Sequence, residues 1–215
     1  MNKDLGNYRK SYERSELIES TIPDNPLELF QKWFDEIETS ERIEEPNAMT
    51  LSTVGLDGFP KSRVVLLKQF VAGGFIFYTN YDSEKGKAIT ENPLVCLSFF
   101  WPSHERQVII KGKAQKTSEE VSNDYFDSRP KGSRLGAIAS HQSEVIASRE
   151  ILDTQLKKLQ EEYAEKTIKR PDFWGGYLVK PHSIEFWQGR PNRLHDRIKY
   201  SEVSSSNWKI ERLAP

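Results

Sequence analysis

The sequence predicts a mainly β protein with helices set among its strands, an antiparallel barrel decorated by helices in the α+β class. Three observations lead there. Between residues 48 and 116 the chain runs through short segments rich in Val, Ile, Phe and Tyr, separated by turn dipeptides such as Asp57-Gly58 and Gly73-Gly74. Apolar spacing of the helical kind is confined to segments before, between and after these runs. Beyond Gly175 the strand pattern returns and continues almost to Pro215.

Residues 1–22 are charged and without sustained periodicity, which predicts an arm, mobile or ordered against another surface, ahead of a single domain over 23–215. Asp24-Asn25-Pro26 supplies a cap and a proline at a first helical position. Leu27, Phe30, Phe34 and Ile37 then make one apolar stripe, so an amphipathic helix follows. Strands are predicted at 49–54, 61–69, 74–79, 94–101 and 107–114, with a short helix over 83–90. The helical pattern of 118–127 stops at Arg129-Pro130, because a residue before proline is pushed out of the helical region. A second short helix restarts near Ser133. Residues 148–163 form a long polar helix carrying Ile151, Leu152, Leu156 and Leu159. Strands at 175–179, 183–188, 193–200 and 207–212 complete the chain.

Composition bounds the function. A chain of 215 residues with 36% hydrophobic and 11% aromatic residues can bury one good core. A formal net charge of -1 argues against nucleic acid or an anionic membrane as the main partner. The N-terminus is polar, and no apolar run approaches the ~20 residues that span a bilayer, so a cytoplasmic protein is expected. Cys96 is the sole cysteine and lies in an apolar run, where a thiol behaves as a small hydrophobe. Disulfide and CxxC metal chemistry within one chain are thereby excluded. His104, His141, His182 and His195 show no ligand spacing with carboxylates or cysteine, which argues against zinc hydrolysis.

The C-terminal region holds the densest chemistry. If residues 193–200 form a strand, Arg193, His195 and Arg197 project from one face. Two fixed cations around an imidazole repel one another unless an anion sits over them. A solvated edge strand is the competing reading. Upstream, Arg63 precedes a run of buried-strand character, Val64-Val65-Leu66-Leu67, where an unpaired guanidinium would be costly. Ser83 and Lys85 stand at a helix start, where free N–H groups favour an anion, although Glu84-Lys85-Gly86-Lys87 also reads as a solvated turn. Arg63 and Lys68 are five positions apart, so a regular strand would point them to opposite faces. Tyr125 and Arg129 are at i and i+4, with Ser133 near the next helix start; a surface pair and a cap would look the same.

The combination of Phe186-Trp187-Gln188-Gly189, Arg193-Leu194-His195-Asp196-Arg197 and a terminal Arg212-Leu213-Ala214-Pro215 resembles the C-terminal signature of the pyridoxamine (pyridoxine) 5'-phosphate oxidases. The resemblance continues through Arg63-Val64-Val65-Leu66-Leu67-Lys68, Phe77-Tyr78-Thr79-Asn80, Glu105-Arg106-Gln107-Val108, Ser128-Arg129-Pro130 and Phe173-Trp174-Gly175-Gly176, in the family's order. It implies an FMN-binding split β-barrel and a homodimer with FMN sites at the subunit interface. FMN would be held by Arg63, Val64, Val65, Leu66, Leu67, Lys68, Tyr78, Thr79, Ser83, Lys85, Gln107, Gln142, Ser143, Trp187 and Arg197. Substrate phosphate would fall to Lys68, Tyr125, Arg129 and Ser133, with Arg193 and His195 at the reacting ring and Arg9 and Tyr12 folding over it. The family commonly has arginine immediately before Lys85, where this chain has Glu84. That carboxylate is expected to point away, with one phosphate contact missing or supplied elsewhere.

The resemblance implies FMN-dependent oxidation of pyridoxamine 5'-phosphate and pyridoxine 5'-phosphate by oxygen to pyridoxal 5'-phosphate, within vitamin B6 metabolism. Arg193 would position and stabilise the reacting carbon, and His195 would serve substrate hydrogen bonding or proton traffic. An NAD(P)H-dependent flavin reductase on the same fold and a non-catalytic flavin or pyridoxal-phosphate binding protein are the alternatives.

Overall fold

In a computed structural model of the chain, residues 1–40, 42–204 and 207–215 are described. They contain helices α1 (Pro26–Thr39), α2 (Glu84–Glu91), α3 (Glu119–Ser128), α4 (Lys131–Ala139) and α5 (Arg149–Glu162). The strands are β1 (Ala48–Val54), β2 (Pro60–Leu66), β3 (Gln69–Val71), β4 (Gly74–Asn80), β5 (Leu94–Trp101), β6 (Arg106–Lys116), β7 (Trp174–Gln188), β8 (Asp196–Ser204) and β9 (Asn207–Arg212). They form a nine-stranded sheet in the order β2-β1-β5-β6-β7-β4-β3, with β8 joined to β7 and β9 to β8. Strand β3 pairs with β4, β4 with β7, β7 with β8 and β8 with β9, each antiparallel.

The residues gather into two compact units. The first comprises Met1–Thr50, Leu97–Lys111 and Pro181–Pro215. Its core is aromatic: Phe30 and Trp33 of α1 meet Phe99 and Phe186 at centroid distances of 5.2 Å each, and Phe186 meets Tyr200 at 5.7 Å. Asn25 caps α1 by accepting from the Leu27 amide at 3.0 Å, with Pro26 at the first helical position as the sequence predicts. The buried face is Leu29, Phe30, Trp33 and Ile37, turned slightly from the expected stripe through Leu27 and Phe34. Burial of the large indole of Trp33, 3% exposed, together with the Leu29 side chain, 2% exposed, favours this rotation.

The N-terminal arm belongs to this unit and is tied to it. The buried Glu105 carboxylate accepts from the amides of Glu13 at 2.9 Å and Arg14 at 3.1 Å. Leu17 is 3% exposed, and its amide donates to Asp196 at 3.1 Å. Arg212 of β9 clasps Glu19 through Nε at 2.6 Å and Nη2 at 2.7 Å.

The second unit comprises Leu51–Cys96 and Gly112–Lys180. Here β4 pairs with the first part of β7, and Phe75, Phe77, Val179 and Leu51 are fully buried. A satellite cluster of Phe126, Leu135, Ile168 and Trp174 packs α3 and α4 with Leu156 and Leu159 of α5. Gly112 is required at its place, since a Cβ there would lie 2.3 Å from the Lys180 carbonyl oxygen.

Three expectations about strands need correction. The single strand expected over 61–69 stops at Leu66 and restarts as β3 at Gln69. The strands expected at 175–179 and 183–188 are one, β7, which runs through Pro181 because the pairing on each side is continuous with a different neighbour. The last strand pair begins at Asp196, not Arg193: Asn192 and Arg193 have φ of 57° and 64°, a left-handed turn after Pro191 that extended backbone cannot accommodate. Arg193 therefore ends a short 3-10 turn, Pro191–Arg193, His195 lies in the connection after it, and only Arg197 of that trio lies on a strand.

Candidate functional site

A cavity of about 890 Å³ opens in the second unit, lined by residues of β2, β4, α2, α3, α4 and the start of β7. One end is built from Arg63 and Lys85. Arg63 donates from Nη1 to Thr53 Oγ1 at 2.8 Å and to the Leu51 carbonyl at 3.3 Å, which fixes the guanidinium across β1. Lys85 is buried at the start of α2, and its Nζ donates to Gln142 Oε1 at 3.0 Å. Ser83 caps α2 by accepting from the Gly86 amide at 3.3 Å and donating to the Asn80 carbonyl at 2.6 Å. Gly86 has no alternative, because a Cβ would lie 2.0 Å from the Tyr81 carbonyl oxygen. Thr79 Oγ1 donates to the same Gln142 oxygen at 3.3 Å.

This end is short of negative charge. Burial, and then the neighbouring Arg63, push the Lys85 ammonium down to about 8, against a smaller opposing field from Glu84. Burial likewise lowers Arg63, again with Glu84 opposing. Two half-desolvated cations and a helix N-terminus suit a phosphate dianion. Val64, Val65 and Leu66 line the cavity beside Arg63, whereas Leu67 is buried in the core and does not line it. Lys68 lines the same cavity as Arg63, against the expectation that the two would face opposite ways. The end of β2 at Leu66 breaks the alternation on which that expectation rested.

The other end is aromatic and cationic. Tyr78, Tyr125 and Trp174 stack nearly parallel, with centroids 3.9 Å apart for Tyr78–Tyr125 and 5.6 Å for Tyr78–Trp174. The Arg129 guanidinium carbon sits 4.7 Å from the Trp174 centroid and 5.8 Å from that of Phe126. Its Nη1 is buried and has no hydrogen-bond partner among the described residues. Burial lowers the Arg129 pKa, with Tyr125 opposing. A buried orphan donor on a cation is costly unless something anionic meets it. Ser133 lies in the first turn of α4 and lines the cavity with Lys68, Tyr125 and Arg129. The cavity thus combines the Arg63–Lys85 cations with the Arg129 guanidinium on its aromatic stack, a lining that could take the FMN phosphate at the first and a second phosphate at the other.

Apart from Ser143, the remaining predicted residues lie in the first unit. Arg193 and His195 line a cavity of about 450 Å³ with Arg9, Tyr12 and Arg190. His195 Nδ1 accepts from the Arg190 amide at 3.1 Å, so the neutral ring carries its proton on Nε2. Burial, then Arg193, lowers the His195 pKa, with Asp196 opposing. The imidazole lies 4.7 Å from the Trp187 ring and 5.8 Å from that of Tyr12. Arg197 donates to Glu185 at 2.8 Å and to the Ala214 carbonyl at 2.9 Å, and Gln107 donates to Ser98 at 3.1 Å. Ser143, in the second unit, accepts from the Glu84 amide at 3.2 Å and lines a neighbouring cavity of about 320 Å³.

Sequence reasoning passed over three residues. Thr53 holds Arg63; its sole signal was a polar residue on the buried face of a strand. Trp174 carries Arg129 and stood inside a quoted motif without a role. Glu105 anchors the arm, and nothing local in the sequence marks that long-range contact.

Comparison with known proteins accords with this geometry. Residues 36–163 match the family described as pyridoxamine 5'-phosphate oxidase, and residues 174–215 match the pyridoxine 5'-phosphate oxidase C-terminal dimerisation region. The chain is 66% identical over 213 residues to the pyridoxine/pyridoxamine 5'-phosphate oxidase of Flavobacterium psychrophilum, covering 99% of this chain and 100% of that one. It is 50% identical over 215 residues to the oxidase of the same name from Nostoc punctiforme, with both chains covered in full. Among solved structures, PhzG from Burkholderia lata 383, in complex with tetrahydrophenazine-1-carboxylic acid, superposes with a TM-score of 0.85 at 29% identity, covering 93% of this chain and 98% of that one. An FMN-binding protein from Nostoc punctiforme shares the fold, with a TM-score of 0.70 at 14% identity over 90% of this chain and 100% of that one. With relatives matched over their whole length and both family regions present in order, the chain belongs to the pyridoxamine 5'-phosphate oxidase family of FMN-dependent split-barrel oxidoreductases.

Proposed function

We propose that the chain oxidises pyridoxamine 5'-phosphate and pyridoxine 5'-phosphate to pyridoxal 5'-phosphate, with oxygen as final acceptor, in vitamin B6 cofactor synthesis and salvage. Two electrons and two protons leave the substrate at C4' and reach oxygen as hydrogen peroxide; with the amine, water then splits the imine and ammonia departs. Bound FMN supplies the redox chemistry. The chain's own residues bind, orient and exclude water. Arg63, Lys85 and the α2 N-terminus hold the cofactor phosphate. Arg129, Tyr125, Ser133 and Lys68 hold the substrate phosphate, and the binding energy there fixes the ring at reacting distance. The observation carrying this reading is the unpartnered, buried Nη1 of Arg129 in the same cavity as the Arg63–Lys85 pole. One cavity with two separate cationic poles suits a phosphorylated substrate beside a phosphorylated flavin.

We read the working site as shared by two subunits of a homodimer. The matched dimerisation region contains Trp187, Arg193, His195 and Arg197, and Gln107 lies with them in the first unit. In this reading one subunit supplies the two-pole cavity and the other supplies Arg193 and His195 to the reacting ring. Arg193 orients the substrate and offsets charge at C4', while His195 donates from Nε2 or accepts there.

Anaerobic mixing of the FMN-loaded protein with pyridoxamine 5'-phosphate tests the reaction. Bleaching of the flavin band, with recovery and peroxide on admitting air, is the expected result. A flavin that stays oxidised with both phosphorylated substrates but is reduced by NADPH would replace this reading by a flavin reductase. One that nothing reduces would indicate a binding protein.

A further inference from the structure

Glu84 places a carboxylate next to the cofactor-phosphate pole, at the first residue of α2 and immediately before Lys85. Its side chain is bound by Lys61, whose Nζ donates to Oε1 at 2.8 Å and Oε2 at 2.6 Å. Lys61 and Arg63 are at i and i+2 on β2 and so share a strand face, while Ser62 between them bonds Ser52 at 2.7 Å. The ammonium that holds Glu84 is therefore a neighbour of the guanidinium that lines the cavity. Glu84 lines the adjoining cavity of about 320 Å³ and not the larger one, and Gln142 borders both. The carboxylate lies near enough for its field to reach both Arg63 and Lys85, so its charge needs a balancing cation.

We infer that Lys61 and Glu84 form a compensating ion pair: Lys61 turns the carboxylate aside and cancels its charge, so that the FMN phosphate meets Arg63 and Lys85 without an opposing anion. An exposed pair of this kind adds little to stability, with side chains 56% and 49% exposed. Its effect lies in the local potential at the phosphate. An uncancelled carboxylate one helical residue from Lys85 would repel a dianion, and the repulsion would act through partly desolvated protein as well as water. The inference rests on the FMN assignment and adds to it a residue, Lys61, that works through Glu84 rather than by touching the cofactor.

Binding of FMN and of riboflavin to apo-protein, each followed by quenching of flavin fluorescence, separates the possibilities in wild type, Lys61→Met, Glu84→Gln and the double variant. Lys61→Met should weaken FMN by about 10-fold and leave riboflavin, which has no phosphate, unchanged. Glu84→Gln should hold or tighten FMN binding. The double variant should return to within about 2-fold of wild type, a coupling that simple disruption of the fold would not produce. An unchanged FMN affinity in Lys61→Met, an equal loss for riboflavin, or a double variant as weak as Lys61→Met would each overturn the inference. Wild type binding FMN no better than riboflavin would instead overturn the phosphate pole itself.

Discussion

The guanidinium of Arg129 rests 4.7 Å from the ring centroid of Trp174, and its Nη1 is buried with no hydrogen-bond partner among the described residues. An aromatic face orients the cation without using its donors, so those donors stay available for a phosphate. Replacing Trp174 by Leu should raise KM for both phosphorylated substrates up to ~10-fold with kcat nearly unchanged, and Phe should restore most of the loss. A fall in kcat alone, with KM unmoved, would contradict this role.

Lys85 is depressed to about 8 by burial and by Arg63, so a phosphate bound at it should couple FMN binding to protons. In the apo-protein between pH 8 and the ordinary lysine value of 10.5, the folded chain has lost a proton that the unfolded chain keeps. Stability contributed by this group therefore rises with pH across that window. A bound phosphate dianion raises the Lys85 pKa again, so FMN binding should take up protons in the same window and weaken as the pH rises through it. Calorimetric titration at pH 9 in two buffers of different ionisation enthalpy would measure the uptake; identical heats would refute it.

His195 is held below the ordinary imidazole value first by burial and then by Arg193. Removing that charge in Arg193→Met should move the His195 titration upward, though not fully, because burial remains. Any acid limb of kcat/KM governed by this imidazole should move up with it. Proton NMR of the His195 ring would follow the change, and a downward or absent shift would rule out the electrostatic link.

Glu105 joins the arm to the turn before Arg193. Its carboxylate accepts from the Glu13 and Arg14 amides, while its carbonyl accepts from the Gly189 amide at 2.7 Å. The residue has φ of 56°, a conformation that costs energy for a side chain other than glycine and is retained by these surrounding bonds. Glu105→Ala should speed amide exchange over residues 8–17 by at least ~10-fold while leaving FMN bound, because the two amide hydrogen bonds to a charged acceptor and its ion pair with Lys10 at 3.3 Å are lost. Exchange rates equal to wild type would show that the arm is held elsewhere.

Local chemistry was legible where it was contained within one element. Asn25-Pro26, Ser83 and the break at Arg129-Pro130 each mark a helix boundary found at or beside the expected place. Arg63, Lys85, Tyr125, Arg129 and Ser133, which the sequence marks as candidates for phosphate binding, line one cavity. What was hidden depends on tertiary contacts or on special backbone. No periodicity announces the left-handed pair Asn192 and Arg193, which takes Arg193 and His195 off the strand. The union of two strands through Pro181 is set by pairing with β4 on one side and β8 on the other. Arm residues without periodicity are ordered by Glu105, Asp196 and Arg212, all far along the chain.

The central claim is that the two-pole cavity of one subunit works with Arg193 and His195 of another. Co-expression of Arg129→Ala and Arg193→Ala chains carrying different affinity tags, followed by purification of the mixed dimer, tests it directly. Each parent homodimer should lose most of its kcat/KM for pyridoxamine 5'-phosphate. In the mixed dimer one site carries both defects and the other none, so activity should recover to about half of wild type. A mixed dimer no more active than its parents would place both residues in one subunit's site and contradict the account.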